Sequence, residues 1–180
     1  MIAVDTNILV YAHRAESPHY RKAYGCIDSL AAGREPWAIP WPCLHEFLAV
    51  VTSPRSFRPA TSLDGALEQV DVWLSSPNLV LLEETSAHWS SLTGALRRGR
   101  IVGGMVHDAR IAALCFEHGV RELWTADRDF ARFPGLATFN PLTETPDQVH
   151  ETPPAYAAIR RARAAGRRRA LADSPVPPGN

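Results

Sequence analysis

Little in this sequence points to a membrane. No apolar run approaches the length that crosses a bilayer, and the first residues lack a basic stretch followed by an apolar segment. A soluble, cytoplasmic protein is expected. Cysteine is scarce: Cys26, Cys43 and Cys115 are odd in number and widely spaced. That speaks against a disulfide framework or a cysteine-based zinc site. Each lies in an apolar helical pattern and reads as a small buried hydrophobe. No glycine-rich phosphate loop or Walker pattern is present, so nothing suggests NTP hydrolysis or dinucleotide binding. No internal repeat is found. Net charge is also missing, with 19 basic residues against 19 acidic ones.

What is present is a globular composition, 46% apolar over 180 residues, enough for one domain with a substantial core. The zero charge hides an asymmetry. Residues 1–150 hold 13 Lys and Arg against 17 Asp and Glu, a net −4. Residues 151–180 hold six arginines against Glu151 and Asp173, a net +4. From Pro141 the chain turns Pro/Ala/Arg-rich, with prolines at 153, 154, 175, 177 and 178 around Arg160, Arg161, Arg163, Arg167, Arg168 and Arg169. Residues 141–180 read as a flexible, largely disordered basic tail. The functional alternative is a sequence-independent phosphate contact.

Strand and helix patterns alternate through the first 140 residues. Ile2 to Val4 reads as a buried strand, and Ile8, Leu9, Tyr11 and Ala12 as a short helix. Ser17 as N-cap, with Pro18 in the first helical position, opens a second helix with Tyr20, Ala23, Tyr24, Ile27 and Leu30 as its stripe and Gly33 as its stop. A strand at 37–40 leads to a helix from Pro42 carrying Leu44, Phe47, Leu48 and Val51. Residues 63–74 form a fourth helix with Leu67, Val70 and Leu74 in register. The unalternating Leu79-Val80-Leu81-Leu82 predicts a strand covered on both faces. Residues 86–98 are helical, 99–104 a mobile connection, and 106–118 a sixth helix stopped by Gly119. A strand at 122–124 and an edge strand at 136–139 complete the pattern. The expected fold is a three-layer α/β/α sandwich with a mainly parallel sheet, occupying residues 1–140.

Four acids stand at junctions of this pattern. Asp5 follows the first strand, Glu46 lies in the first turns of the third helix, Asp108 opens the sixth helix, and Asp127 follows the last long strand. Strand C-termini and the following helix N-termini share one edge of such a sheet, so the four can converge. Asp5, Thr6 and Asn7 each also suit a plain helix cap. Converging carboxylates repel one another unless a cation intervenes. Mg²⁺ takes oxygen ligands, and two such ions can drive phosphodiester hydrolysis.

These residues carry a resemblance. Met1-Ile2-Ala3-Val4-Asp5-Thr6-Asn7-Ile8-Leu9-Val10-Tyr11, the glutamate of Leu44-His45-Glu46-Phe47, His107-Asp108-Ala109-Arg110-Ile111-Ala112-Ala113, and Thr125-Ala126-Asp127-Arg128-Asp129-Phe130 resemble the PIN-domain ribonucleases, and among them the VapC-type toxins of bacterial toxin–antitoxin pairs. The match covers residues 1 to about 140, with the motifs in the family's order. The resemblance implies an endoribonuclease dependent on Mg²⁺ or Mn²⁺, a homodimer, and a cognate antitoxin that blocks the active site. It implies Asp5, Glu46, Asp108 and Asp127 as the catalytic, metal-binding quartet, Asp5 and Asp108 being the direct contacts. Asn7 and Thr125 would orient the carboxylates. Asp129 competes with Asp127 for the fourth position, and Asp127 is preferred because it follows Thr125 by two.

Other readings are weaker. A zinc-protease helix around His45-Glu46 needs a histidine at 49, where Ala49 stands. His107-Asp108 suggests an HD-type phosphohydrolase, which needs further histidines. A non-catalytic PIN-like binding module would be favoured by loss of an acid, and all four are present. His13, His19, His88 and His118 read as surface or cap residues. The five tryptophans read as core anchors, with Trp41 the one to test for RNA contact.

Overall fold

A computed structural model describes residues 1–143. The basic segment beyond, with its six arginines and the expectation attached to them, lies outside the described residues.

The elements run β1 (Ile2–Val4), α1 (Thr6–His13), α2 (Tyr20–Ala32), β2 (Trp37–Pro40), α3 (Trp41–Val51), α4 (Leu63–Leu74), β3 (Leu79–Leu82), α5 (His88–Gly99), α6 (Val106–Glu117), β4 (Glu122–Trp124) and β5 (Thr138–Phe139). Short 3₁₀ turns cover Gly103–Met105 and Arg128–Arg132. The five strands form one parallel sheet in the order β3-β2-β1-β4-β5, with Ala3 paired to Ala38 on one side and Leu123 on the other. Helices cover both faces, giving the three-layer α/β/α architecture. The chain builds outward from β1 to β3, then crosses back to place β4 against β1. The order therefore reverses between β1 and β4, and a crevice opens beyond their C-terminal ends.

The core gathers around β1 and β2. Ala3, Val4, Trp37, Ala38, Ile39, Leu123 and the inner faces of α1, α3 and α6 are buried. Trp73 meets Phe47 edge-on at 4.7 Å between centroids. Such contacts add to area burial worth roughly 25 cal/mol per Å².

Four sequence expectations need correction. Helix α2 begins at Tyr20 rather than after Ser17: the Ser17 hydroxyl accepts from the His19 N–H at 3.2 Å and its carbonyl from the Tyr20 N–H at 3.0 Å. Ser17 shapes the turn before the helix instead of capping it. Strand β3 is not covered on both faces, since it sits at the sheet edge with Val80 37% exposed. Helix α4 lies where expected but is rotated: Ala66, Gln69, Val72 and Trp73 face inward, and of the expected stripe Val70 is half-buried against the core while Leu67 and Leu74, with Leu63, are exposed. The larger Trp73 takes the inner side. The 99–104 connection is anchored by buried Ile101, whose N–H donates to the Leu96 carbonyl at 2.9 Å, and opens only at Gly103 and Gly104.

Cys43 and Cys115 are buried thiols, and Cys26 is half-buried. The four histidines all stand at helix ends, with His13, His19, His88 and His118 flanking or closing α1, α2, α5 and α6. Of the tryptophans, Trp37 and Trp73 are core anchors, while Trp41 and Trp89 are exposed.

Candidate active site

The backbone leaves β1 at Asp5, which caps α1: its Oδ1 accepts from the Thr6 N–H at 2.7 Å. The cap is therefore Asp5 itself, and the capping and metal readings of this residue do not compete. Its Oδ2 accepts from the Thr125 hydroxyl at 2.6 Å and from the Asn7 amide at 2.5 Å. The Asp5 N–H donates to the Trp124 carbonyl at 3.0 Å, pinning β1 to the end of β4.

Thr125 is the hub of this network. Its hydroxyl donates to Asp5 and accepts from the Asn7 amide at 3.0 Å and from the Asp127 N–H at 2.9 Å. One donor and two acceptor sites is all a hydroxyl offers, and all are used. Asn7 closes the ring, its carbonyl oxygen accepting from the Ala126 N–H at 3.0 Å. Asn7 and Thr125, both singled out from sequence, thus meet on Asp5 Oδ2.

An open cleft of about 260 Å³ lies at this edge. Its polar wall carries Asp5, Thr6, Asn7, Glu46, Asp108 and Asp127, and Val10, Tyr11, Val50 and Phe130 complete it. All four predicted acids are thus brought together from residues 5, 46, 108 and 127. Asp129 is not among the lining residues. Its backbone N–H donates to Asp127 Oδ1 at 2.8 Å, so the pair forms a turn in which Asp127 faces the cleft. No imidazole lines the cleft, which leaves the HD-type reading without support.

Thr6 was read from sequence only as a possible cap. Its hydroxyl donates to Glu46 Oε2 at 2.6 Å and holds that side chain against the cleft. Only the packing of α1 on α3 brings the two together, 40 residues apart. Cys43 was read as a plain hydrophobe, yet its Sγ stands 3.8 Å from Asp5 Oδ1. Trp41 tilts over His45 at 5.7 Å on the outer side of α3 and does not line the cleft.

The electrostatics show the strain of this convergence. Burial pushes Asp5 up from its ordinary 3.8 to about 6, with the Thr125 and Thr6 hydrogen bonds opposing and Glu46 and Asp127 adding repulsion. Asp108 is raised by desolvation first, then by Asp127, Glu46 and Asp129. Burial likewise raises the Cys43 thiol, with Asp5 adding to it. A cluster of oxygen donors that repel one another suits a hard divalent cation. Among the described residues no three His, Cys, Asp or Glu groups are gathered tightly enough to hold an ion unaided.

The chain belongs to the PIN-domain family, whose model matches residues 2–136. It is 36% identical to the VapC ribonuclease Mb2897 of Mycobacterium bovis, over 79% of this chain and 96% of that one. Its fold is similar to the VapBC2 structure of Rickettsia felis bound to a DNA fragment from their promoter, with TM-score 0.57 and 23% identity over 78% of this chain and 98% of that one. It is also similar to Mycobacterium tuberculosis VapC20, a sarcin–ricin loop cleaving toxin, with TM-score 0.56 and 18% identity over 73% and 93% of the two chains.

Proposed function

We propose that this protein is a metal-dependent endoribonuclease that hydrolyses RNA phosphodiester bonds, the toxin of a toxin–antitoxin pair. The observation that carries the reading is the meeting of Asp5, Glu46, Asp108 and Asp127 in one cleft at the sheet's reversal point, in a chain whose relatives include VapC ribonucleases. The nuclease unit spans residues 1–140, and the protein acts in the cytoplasm. Among the described residues no helix is long and apolar enough to cross a membrane.

In this reading Asp5 and Asp108 would hold the metal, and Glu46 and Asp127 would complete the site. Bound Mg²⁺, or Mn²⁺ in its place, would activate a water and stabilise the leaving oxygen. The chain's own work is preorganisation. Thr125 and Asn7 fix Asp5, Thr6 fixes Glu46, and the Asp127 turn presents its carboxylate to the cleft. Positions held before the reaction cost no reorganisation during it.

The reading includes a homodimer and a cognate antitoxin. The outward Leu63, Leu67 and Leu74 of α4 are apolar surface that an assembly would cover.

The test is cleavage-site mapping on total RNA with purified protein. Defined cuts are expected with Mg²⁺ or Mn²⁺ and none after exhaustive chelation, and Asp5→Asn should abolish them. Cleavage that survives chelation would overturn the metal-dependent reading.

A further inference from the structure

The acidic cleft is a poor place for a polyanion to arrive. Three arginines that the proposed chemistry does not use lie on the segments that carry its Asp108 and Asp127. The 3₁₀ turn Arg128–Arg132 continues directly from Asp127 and sends Phe130 into the cleft wall. The α5–α6 connection feeds Asp108 from the other side. The two segments touch: a Cβ on Gly99 would come within 3.0 Å of the Arg132 carbonyl, and Arg132 Nη1 lies 3.5 Å from the Met105 sulfur. Arg100, Arg128 and Arg132 thus lie on two touching segments, one following Asp127 and one preceding Asp108.

All three are exposed, and none has an acidic partner among the described residues. Other arginines are committed: Arg14 pairs with Glu16, Arg110 with Glu84, and Arg98 lies over the Phe116 ring at 5.7 Å. Arg100 carries a second oddity. It closes α5 in the left-handed region, at φ 52° and ψ 46°. Glycine ordinarily holds that position, and a side chain there is unfavourable. Attraction to the helix C-terminus offsets part of this, but Arg97 and Arg98 already supply cations to that turn. An arginine kept in a strained, exposed, unpaired position points to a ligand. Gly103 and Gly104, with open space where a Cβ would stand, leave the seam uncrowded.

We propose that Arg100, Arg128 and Arg132 form the surface that holds the RNA backbone as it enters the acidic cleft, an inference that rests on the ribonuclease reading above. Guanidinium groups match phosphate oxygens two at a time and stack on unpaired bases. The substrate is accordingly single-stranded or looped RNA running across the 3₁₀ turn toward Asp127.

The test uses Asp108→Asn protein with Mg²⁺ and a short labelled single-stranded RNA, titrated across a salt series. Replacing Arg100, Arg128 and Arg132 together by glutamine should weaken binding about tenfold or more and flatten the log-affinity against log-salt slope by about 2, near 0.7 for each lost phosphate contact. The exposed pair Arg21→Gln on α2 and Arg34→Gln just beyond its end serves as control and should leave both unchanged. Arg100→Gly should weaken RNA binding while keeping or raising the melting temperature, a divergence that a merely structural arginine would not produce. With Asp108 restored, the triple variant should raise KM far more than it lowers kcat. Superimposable salt curves for the Asp108→Asn parent and its triple variant, when the protein with Asp108 intact cleaves RNA, would overturn the surface and leave the ribonuclease reading standing. A protein with Asp108 intact that binds RNA through this seam but never cleaves it with saturating Mg²⁺ or Mn²⁺ would sink the ribonuclease reading instead. If poly-glutamate of matched charge binds as tightly as RNA and loses affinity equally in the triple variant, the seam is an acidic-protein face and the proposal fails.

Discussion

At the scale of single residues, the cleft gathers its carboxylates at a cost in stability. Asp5 binds its proton up to about pH 6 in the folded chain, against 3.8 ordinarily. Between those values the folded state holds a proton that the unfolded state has released, so metal-free stability falls as pH rises through that window. The ionised Asp5 thereby costs about 3 kcal/mol at neutral pH, to order of magnitude. Asp108 is raised in the same direction, so its charged form also weighs on the fold above its own folded-state value. Asp108→Asn should therefore abolish cleavage and raise the neutral-pH melting temperature in EDTA, with the gain shrinking on acidification as the wild-type carboxyl takes up its proton. Melting curves of both proteins recorded from acid to neutral pH check this. A variant less stable than wild type at neutral pH would contradict the repulsion argument. Asp5→Asn is a less clean probe of stability. Its amide would keep the cap acceptor but set a donor against those of Thr125 and Asn7.

Thr125 tests the network itself. It is 3% exposed and uses every hydrogen-bonding site of its hydroxyl. Thr125→Val keeps the shape, and should lose about 1–3 kcal/mol in urea unfolding because the Asn7 amide and Asp127 N–H lose an acceptor. Cleavage should fall as well, since Asp5 loses its hydroxyl donor. Wild-type activity in this variant would show that Asp5 is held by its backbone cap alone.

At the scale of elements, α4 is the informative one. Its heptad-like leucines suggest an inward stripe, but Trp73 and Ala66 take the core and Leu63, Leu67 and Leu74 face out, the first two 62% and 42% exposed. Residues four and seven apart on a helix share a face. An apolar outer face is retained most readily where a second surface covers it. Leu67→Glu should accordingly reduce the mass observed by sedimentation from dimer toward monomer without lowering the melting temperature of the monomer. A dimer that persists would place the interface elsewhere. Packing explains why the periodicity could not settle the orientation: both candidate stripes are apolar, and the bulky ring fits against Phe47.

At the scale of the whole molecule, charge is divided between an acidic first 150 residues, at −4, and a basic remainder, at +4. The attraction of six arginines to a polyanion is long-ranged but screened within about 8 Å at physiological ionic strength. Removing the residues after 150 should weaken RNA binding and reduce its salt dependence while leaving the cleavage pattern unchanged. Affinity curves for full-length and truncated protein across a salt series give the answer, and curves that coincide would deny the segment an electrostatic role. This effect should add to that of Arg100, Arg128 and Arg132, because separate phosphate contacts release separate counterions.

The sequence by itself determined the alternation of strands and helices, since apolar periodicity and capping chemistry are local properties. It also marked Asp5, Asp108 and Asp127 as acids at element junctions, where a parallel sheet collects its ligands. Only the tertiary structure decided what lies between distant residues. The strand order put Asp5 beside Thr125, 120 residues away, and the α1–α3 contact set Thr6 on Glu46. The same packing rotated α4 and left β3 at the edge. It also drew Arg100 and Arg132 to one seam through a backbone approach at Gly99 that no local pattern encodes. Hydrogen bonds and repulsion between carboxylates depend on ångström separations, and those are fixed by how helices seat on the sheet, which one chain's periodicity does not contain.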